Sequence, residues 1–487
     1  MLIPARVCVS QILGPSRLGI RLEYTTTPLR LFTTTTCSYA STKNSHSFPK
    51  SWSFRESTVQ WIKSFNFSQL KNSQDQLLSR ALPYYNKRVN GLLAKTSLVP
   101  VDSNGNYLNE LCIENESAED GKTQNLVILH GYASSLGWFY KNFDDLIRDN
   151  TNTKVHCLDM LGFGLSSKPK LNFDDETNGV PLEIEFDREK LDHHKHVHKA
   201  LHLPESYTID ASNWTRYVKG QKKLVTSVES TYVDSIENWR SERGIESFDL
   251  LGHSLGGYMS IAYALKYPNR VNRLILASPG GVERSPYAIS NPKMKQLIEN
   301  VGESGKIKLK PSNSPGEYGF LGRLPTLKRR FVKFWQNQHS FFTLLRLSGP
   351  YGPRAISAYT FKRFTRSGNI SSLDELSLFT SYIYNSFTTP SFSETSIMKI
   401  FAPPVMAKWP MLDRIDQLQC KTLWLYGQYD WMFNITGQIC VDQLNGRKGV
   451  EKGSEAVFCV IPNAGHNVYF DNWRGFNGEV KKFLGWR

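Results

Sequence analysis

Long apolar runs are missing from this sequence. No stretch of eighteen or more such residues occurs, so nothing reads as a bilayer-spanning helix and any membrane contact is expected to be peripheral. Cysteine is sparse as well. The seven, at 8, 37, 112, 157, 420, 440 and 459, form no CxxC pair and several fall in apparent strands, so a reduced protein is expected rather than a disulfide scaffold. Acidic residues are in deficit, 44 against 59 Lys and Arg, and the formal charge of +15 favours an anionic partner. Nucleic acid is set aside because no recognition motif accompanies the charge. Histidines cluster in DHHKHVHK and nearby, at 193–202, within a polar stretch where solvated side chains are expected; no metal or cofactor is anticipated. Internal repeats are absent, and nothing in the sequence specifies an oligomeric state.

The first fifty residues differ in kind from the rest. They hold Arg6, Arg17, Arg21 and Arg30, a Ser/Thr-rich tract over 25–42 and a single acid, Glu23. MLIPARVCVSQILGPS has no continuous apolar stretch of the secretory type, whereas a basic, amphipathic segment suits a mitochondrial transit peptide. Residues 1–50 are therefore expected to be a leader and tail, with a cut after Phe32, and the protein to sit peripherally on the matrix side of the inner membrane.

At 487 residues the rest can be one α/β unit with long insertions. Val59, Ile62, Phe65, Leu70, Leu77, Leu78 and Leu82 recur at helical spacing up to Pro83, which predicts a helical lead-in over 51–104. Short apolar runs then predict strands at 108–113, 125–130, 155–160, 248–253, 273–278, 422–427 and 456–462. Helical patterns at 231–244, 255–268 and 472–486 lie between or after them. Such alternation predicts a mainly parallel sheet with helices on both faces. The core is expected over 105–279 and 419–487, with a surface insert at 170–225 and a basic lid at 280–418.

FDLLGHSLGGYMS carries the strongest chemical signal, because an apolar run enters G-H-S-L-G and a helical pattern leaves it. Gly252 and Gly256 suit a strained turn in which side chains would collide with the neighbouring strand and helix. Ser254 is the expected nucleophile. Serine is weak at its free pKa, so a base must take its proton and a third group must fix that base. His466, in IPNAGHNVYFDN after the last strand with Gly465 permitting a tight turn, is the candidate base. Asp430, in GQYDWM at the end of a strand, is the candidate acid; Asp413 and Asp416 are rivals expected to face solvent. The backbone N–H groups of Tyr132, in HGYASS, and of Leu255 would receive a carbonyl oxyanion. An acyl ester is the implied substrate.

HGYASS, LDMLGFGLSS, GHSLGGY, YGQYDWM and GHNVYFDN, taken together and in this order, resemble the α/β-hydrolase superfamily over roughly residues 105–487. The resemblance implies an α/β-hydrolase fold with an eight-stranded-type sheet and a large helical lid, and makes Asp159 a turn residue. H-x-x-x-x-D, from His466 to Asp471, with FAPPVMAKWPMLDRI and SGPYGPRAI, is similar to the lipid-acting subfamily of acyltransferases, lysophospholipases and coactivators. With the apparent leader, it most resembles the mitochondrial cardiolipin-deacylating members, which implies release of a fatty acid from cardiolipin to leave monolysocardiolipin. The alternatives are a lysophosphatidic acid acyltransferase using acyl-CoA, with His466 and Asp471 as its motif, and a non-catalytic lipid-surface scaffold. Asp471 also stands where it could cap the helix that follows.

Basic residues crowd the lid. Between 303 and 366, Lys328, Arg329, Arg330, Arg354 and Arg363 are among many cations set against only Glu303 and Glu317. Attraction to anionic lipid is worth about 1 kcal/mol per basic residue at the surface, so these five are the candidate headgroup ligands. Phe331, Phe334, Trp335, Phe341 and Phe342 interleave with them and could enter a membrane interface or pack inward.

Overall fold

A computed structural model describes residues 48–487, apart from position 67 and stretches within 117–122, 172–206, 286–287, 303–304, 310–336, 403–404 and 448–455. Eight strands form the central sheet: β1 (Leu92–Pro100), β2 (Tyr107–Asn115), β3 (Gln124–Leu129), β4 (Thr153–Leu158), β5 (Phe248–His253), β6 (Val271–Ala277), β7 (Lys421–Gly427) and β8 (Ala456–Ile461). Their order is β1-β2-β4-β3-β5-β6-β7-β8. Only β2 runs antiparallel to its neighbours β1 and β4; the remaining pairs are parallel. Strand order reverses around β3 and β5, and at such a switch point the carboxyl ends of neighbouring strands open a crevice for ligands.

Helices α1 (Phe54–Lys63) and α2 (Gln69–Ala81) precede the sheet, and α3 (Phe143–Ile147), α4 (Ala211–Glu242) and α5 (Leu255–Lys266) connect its strands. The insertion after β6 carries α6 (Pro292–Val301), α7 (Phe341–Leu347), α8 (Tyr351–Phe364), α9 (Leu373–Ser386) and α10 (Ser393–Ile400). The last part of the core adds α11 (Asn434–Asn445), α12 (Val468–Asp471) and α13 (Trp473–Leu484). Because side chains alternate along each strand, β5 sends Leu250 to one face and Leu251 to the other, and two apolar cores result. Val127, Leu250, Leu276 and Trp424 pack under α4, α5 and α11. Ile128, Leu251, Ile275 and Leu425 pack under α3, α8, α9 and α13. This is the α/β-hydrolase fold, with helices on both faces and a large helical insertion.

Three expectations change. Residues 51–104 are not helical throughout: Leu92–Pro100 is β1, held in register by β2 from Leu92 opposite Asn115 to Pro100 opposite Tyr107. Residues 170–225 are not wholly a surface insert, because α4 begins at Ala211 and buries Trp214, Tyr217, Leu224 and Val225. The lead-in helices also part company. Leu77 and Leu78 of α2 are fully buried, each worth about 2 kcal/mol. Val59, Ile62 and Phe65, by contrast, lie exposed on and just beyond α1.

These helices are fastened to the insertion. The Trp52 N–H donates to Ser357 Oγ (3.0 Å), Ser381 Oγ donates to Gln60 Oε1 (3.1 Å) and Asn385 Nδ2 donates to Ser73 Oγ (3.2 Å). Among the described residues no helix is long and apolar enough to cross a membrane. Residues 1–47 of the segment expected to be a leader over 1–50, and the DHHKHVHK run, lie outside the described residues.

Candidate active site

Ser254 occupies the turn between β5 and α5 with φ +53° and ψ −113°. That backbone region costs a non-glycine residue about 1–3 kcal/mol, so the packing around it must enforce the turn. A Cβ on Gly252 would lie 2.2 Å from Ser260 Oγ, and one on Gly256 would lie 2.5 Å from the Leu129 and His130 carbonyl oxygens. Both glycines are therefore required by close approach, as the motif implied.

Later strands deliver the other two groups. Gln428 N–H donates to the Ile461 carbonyl and Tyr429 N–H to that of Ala464, joining the loops after β7 and β8. Within this pairing, His466 Nδ1 lies 3.0 Å from Asp430 Oδ1 and His466 Nε2 lies 3.0 Å from Ser254 Oγ. The three predicted side chains thus form one hydrogen-bonded line. Burial alone would raise the Asp430 carboxyl, but the His466 imidazole and the Met432 N–H hold it below the ordinary range. Such an arrangement can accept a proton from Ser254 and stabilise the imidazolium that follows. The left-handed residue in the histidine loop is Asn463 (φ +56°) rather than Gly465. Asp413 does not face solvent: its side chain is 8% exposed and pairs with Arg284 and Ser290. Asp416 accepts from Gln443 Nε2 at 2.7 Å.

The proposed oxyanion donors flank Ser254. Leu255 opens α5, so its N–H belongs to the unpaired first turn. On the other side, a Cβ at Gly131 would sit 3.1 Å from Ser254 Cβ, which brings the Gly131–Tyr132 backbone against the serine. Tyr132 also ties the insertion down, its hydroxyl donating to the Glu394 carbonyl at 2.7 Å. Asp159 is a turn residue, accepting from the Leu136 and Leu165 N–H groups and from Asn109 Nδ2.

One site residue escaped the sequence reading. His253 Nε2 donates to the His466 carbonyl at 3.0 Å, and its ring centroid lies 4.9 Å from that of His466. Burial, with the neighbouring His466, pushes the His253 pKa down to about 3, so it holds the histidine loop as a neutral donor. Its only signal was adjacency to Ser254.

The remaining candidates separate. Asp471 does not cap α13; Asn472 does, accepting from the Gly475 N–H at 3.0 Å. The Asp471 carboxylate instead receives both Nη atoms of Arg363 at 2.7 Å and the Gly465 N–H at 2.9 Å. Arg363 is accordingly committed to an internal ion pair rather than displayed for a headgroup, because a buried carboxylate requires a compensating charge. Arg354 is exposed on α8, while Lys328, Arg329, Arg330 and Phe331 lie outside the described residues. Trp335 is buried and donates to the Phe401 carbonyl at 2.9 Å, and Phe342 stacks on Phe387 with centroids 4.5 Å apart. Both pack inward.

Among the described residues, Glu110, Cys112 and His156 are close enough to share a metal. Glu110, however, accepts from His156 Nδ1 (2.7 Å) and from Arg243, while His156 Nε2 meets Asn125 Oδ1 at 3.1 Å. The group is built as an ion-pair network, with the carboxylate oxygens already in use.

A serine on a strained strand-to-helix turn, with a histidine and an aspartate brought to it from later strands of a mainly parallel sheet, is the arrangement of the nucleophile-elbow class of α/β proteins. The model of the alpha/beta hydrolase fold family matches residues 124–472, and the chain belongs to that family. Protein ECM18 of Saccharomyces cerevisiae is 31% identical over 380 residues, 78% of this chain and 74% of its own. The 1-acylglycerol-3-phosphate O-acyltransferase ICT1 of the same yeast is 26% identical over 74% of this chain and 81% of its own. Human 1-acylglycerol-3-phosphate O-acyltransferase ABHD5 is 29% identical over 73% of this chain and 76% of its own. The two named O-acyltransferases fall in the lipid-acting branch to which the motifs pointed.

Proposed function

We propose that this protein transfers an acyl chain from acyl-CoA to 1-acylglycerol 3-phosphate through Ser254. The observation that carries the reading is the Ser254–His466–Asp430 line, 3.0 Å at each link, in a chain whose relatives include named O-acyltransferases. Ser254 Oγ attacks the thioester carbonyl while His466 Nε2 takes its proton; the C–S bond breaks and the CoA thiol leaves with that proton. The lysophospholipid hydroxyl then attacks the acyl-serine, gives its proton to His466, and Ser254 recovers it as the ester bond to the enzyme breaks.

Cardiolipin deacylation would use the same acyl-enzyme with water as acceptor, and the relatives' names support transfer over it. A purely structural scaffold is disfavoured by the serine itself and its hydrogen-bonded base. Peripheral membrane binding fits exposed Phe54, Ile62 and Phe65 at α1 and Leu344, Leu347 and Tyr351 on the insertion. Phe54 and Tyr351 join the two groups with ring centroids 5.5 Å apart. Partly exposed apolar side chains beside cations suit a lipid interface. The basic 1–50 segment supports a mitochondrial address on the matrix face of the inner membrane.

The test supplies acyl-CoA and labelled 1-acylglycerol 3-phosphate to the full chain. Diacyl product from the wild type and none from Ser254→Ala is expected. No product, with fatty acid released from cardiolipin vesicles instead, would replace transfer by hydrolysis.

A further inference from the structure

Beside the oxyanion turn lies a small, narrow cleft that the relay above does not use. It begins at Ala133 and Ser134, is walled by Phe163 and Phe342, and continues between the 162–168 loop and the 386–394 segment of the insertion. Ala133 is two residues past Gly131, hence at most about 8 Å along the chain from the backbone that touches Ser254.

Lys168 supplies the charge. Its Nζ donates to the Gly164 carbonyl at 2.6 Å, and an ammonium carries three N–H donors, so its donor capacity exceeds that one bond. The acids near it are already engaged. Glu394 is held by both Nη atoms of Arg346, at 2.7 and 3.0 Å, and by Ser340, while Asp159 serves the backbone turn described above. Burial lowers the Lys168 pKa, and an anion entering the cleft would oppose that shift. Hydroxyls complete the lining. Those of Ser386 and Ser393 donate to the Tyr382 and Gly162 carbonyls, but Ser391 Oγ accepts from the Ser393 N–H and keeps its own proton to give.

We propose that Lys168, with Ser391 beside it, binds the phosphate of the lysophospholipid and so directs its free hydroxyl toward the acyl group on Ser254. This rests on the acyl-transfer reading and adds to it the group that recognises the acceptor. Cation and hydroxyl donors on a phosphate make charge-assisted hydrogen bonds that a neutral monoacylglycerol cannot form. Only the short glycerol backbone separates the phosphate from the hydroxyl, which matches a cleft starting two residues beyond the Gly131 backbone that touches Ser254.

Binding is measured in Ser254→Ala protein, where no turnover occurs, with 1-acylglycerol 3-phosphate and the monoacylglycerol of the same chain below their micellar concentrations. Adding Lys168→Met is expected to weaken the phosphate lipid about tenfold and the monoacylglycerol less than twofold, and Lys168→Arg to restore most of the loss. The monoacylglycerol arm reports that the cleft is still folded. Equal losses for both lipids would overturn the proposal, as would a loss confined to acyl-CoA, which would assign the cleft to phosphates of the donor. A selective loss in a protein that hydrolyses rather than transfers would sink the earlier reading and overturn the acceptor-directing role, leaving Lys168 only as a phosphate-binding residue.

Discussion

Replacing Asp471 by alanine separates two roles for the H-x-x-x-x-D pair. The side chain is 6% exposed and that of Arg363 is 25% exposed, so removing the carboxylate strands a half-buried guanidinium and leaves the Gly465 N–H without its acceptor. Breaking a buried pair costs about 3–5 kcal/mol; water reaching Arg363 and the surviving contact to Asn467 Oδ1 reduce this to about 2–3 kcal/mol. The melting temperature should fall by a few degrees. Activity should fall further, because Gly465 precedes His466, and a misplacement of about 1 Å at a catalytic group costs on the order of 100-fold. We expect kcat/KM to drop about 10- to 100-fold, equally for acyl transfer to a lysophospholipid and for hydrolysis of a p-nitrophenyl ester, since both need His466. Arg363→Met should reproduce the effect, and the double variant should be little worse than either single one. Loss of transfer with hydrolysis intact would refute this reasoning and make Asp471 a group that touches the acceptor. Additive losses would refute the coupling.

Removing the His253 donor in His253→Phe should lower kcat about tenfold, by roughly 1–1.5 kcal/mol, measured on a soluble ester. The acid limb of its rate profile should remain where the wild type has it, because His253 is already neutral at that pH. Ile62→Ser with Phe65→Ser, at positions 58% and 65% exposed, should weaken binding to cardiolipin-containing vesicles about tenfold in a flotation assay; unchanged flotation would remove this patch from the membrane contact. Stability should also respond to alkali through His156. Burial opposes its charge, but Cys112 and Glu110 raise its pKa from 6.5 to about 9. A folded-state pKa above the unfolded value stabilises fully below about 6.5 and is lost as pH climbs through about 9. Melting temperature should fall across that window in the wild type and stay flatter in His156→Gln.

The strands around the nucleophile were legible because β3, β5, β6 and β7 are buried on both faces and so read as continuous apolar runs bounded by turns. β1 was not, since LLAKTSLVP is an edge strand with a mixed burial pattern that follows directly on a helical stretch. In α4 the buried Trp214, Tyr217, Leu224 and Val228 are diluted by lysines and serines, which hid the first half of a 32-residue helix. Ser254, His466 and Asp430 could be found because each sits at a strand end, where the topology fixes its direction. Arg363 could not be assigned from sequence, because its partner lies 108 residues away and composition alone made it one cation among many. Exposed and internally paired arginines look the same in a sequence.

The attachment of Trp52 bears on how much of the N-terminal segment the fold needs. Its indole packs on Phe361, centroids 6.1 Å apart, and its amide is bound to Ser357, so the insertion above the sheet begins its support at this residue. Removing the chain ahead of Trp52 would leave the insertion seated, whereas removing a few residues more would unpin α8. The start of the folded unit is thereby set by tertiary packing hundreds of residues downstream.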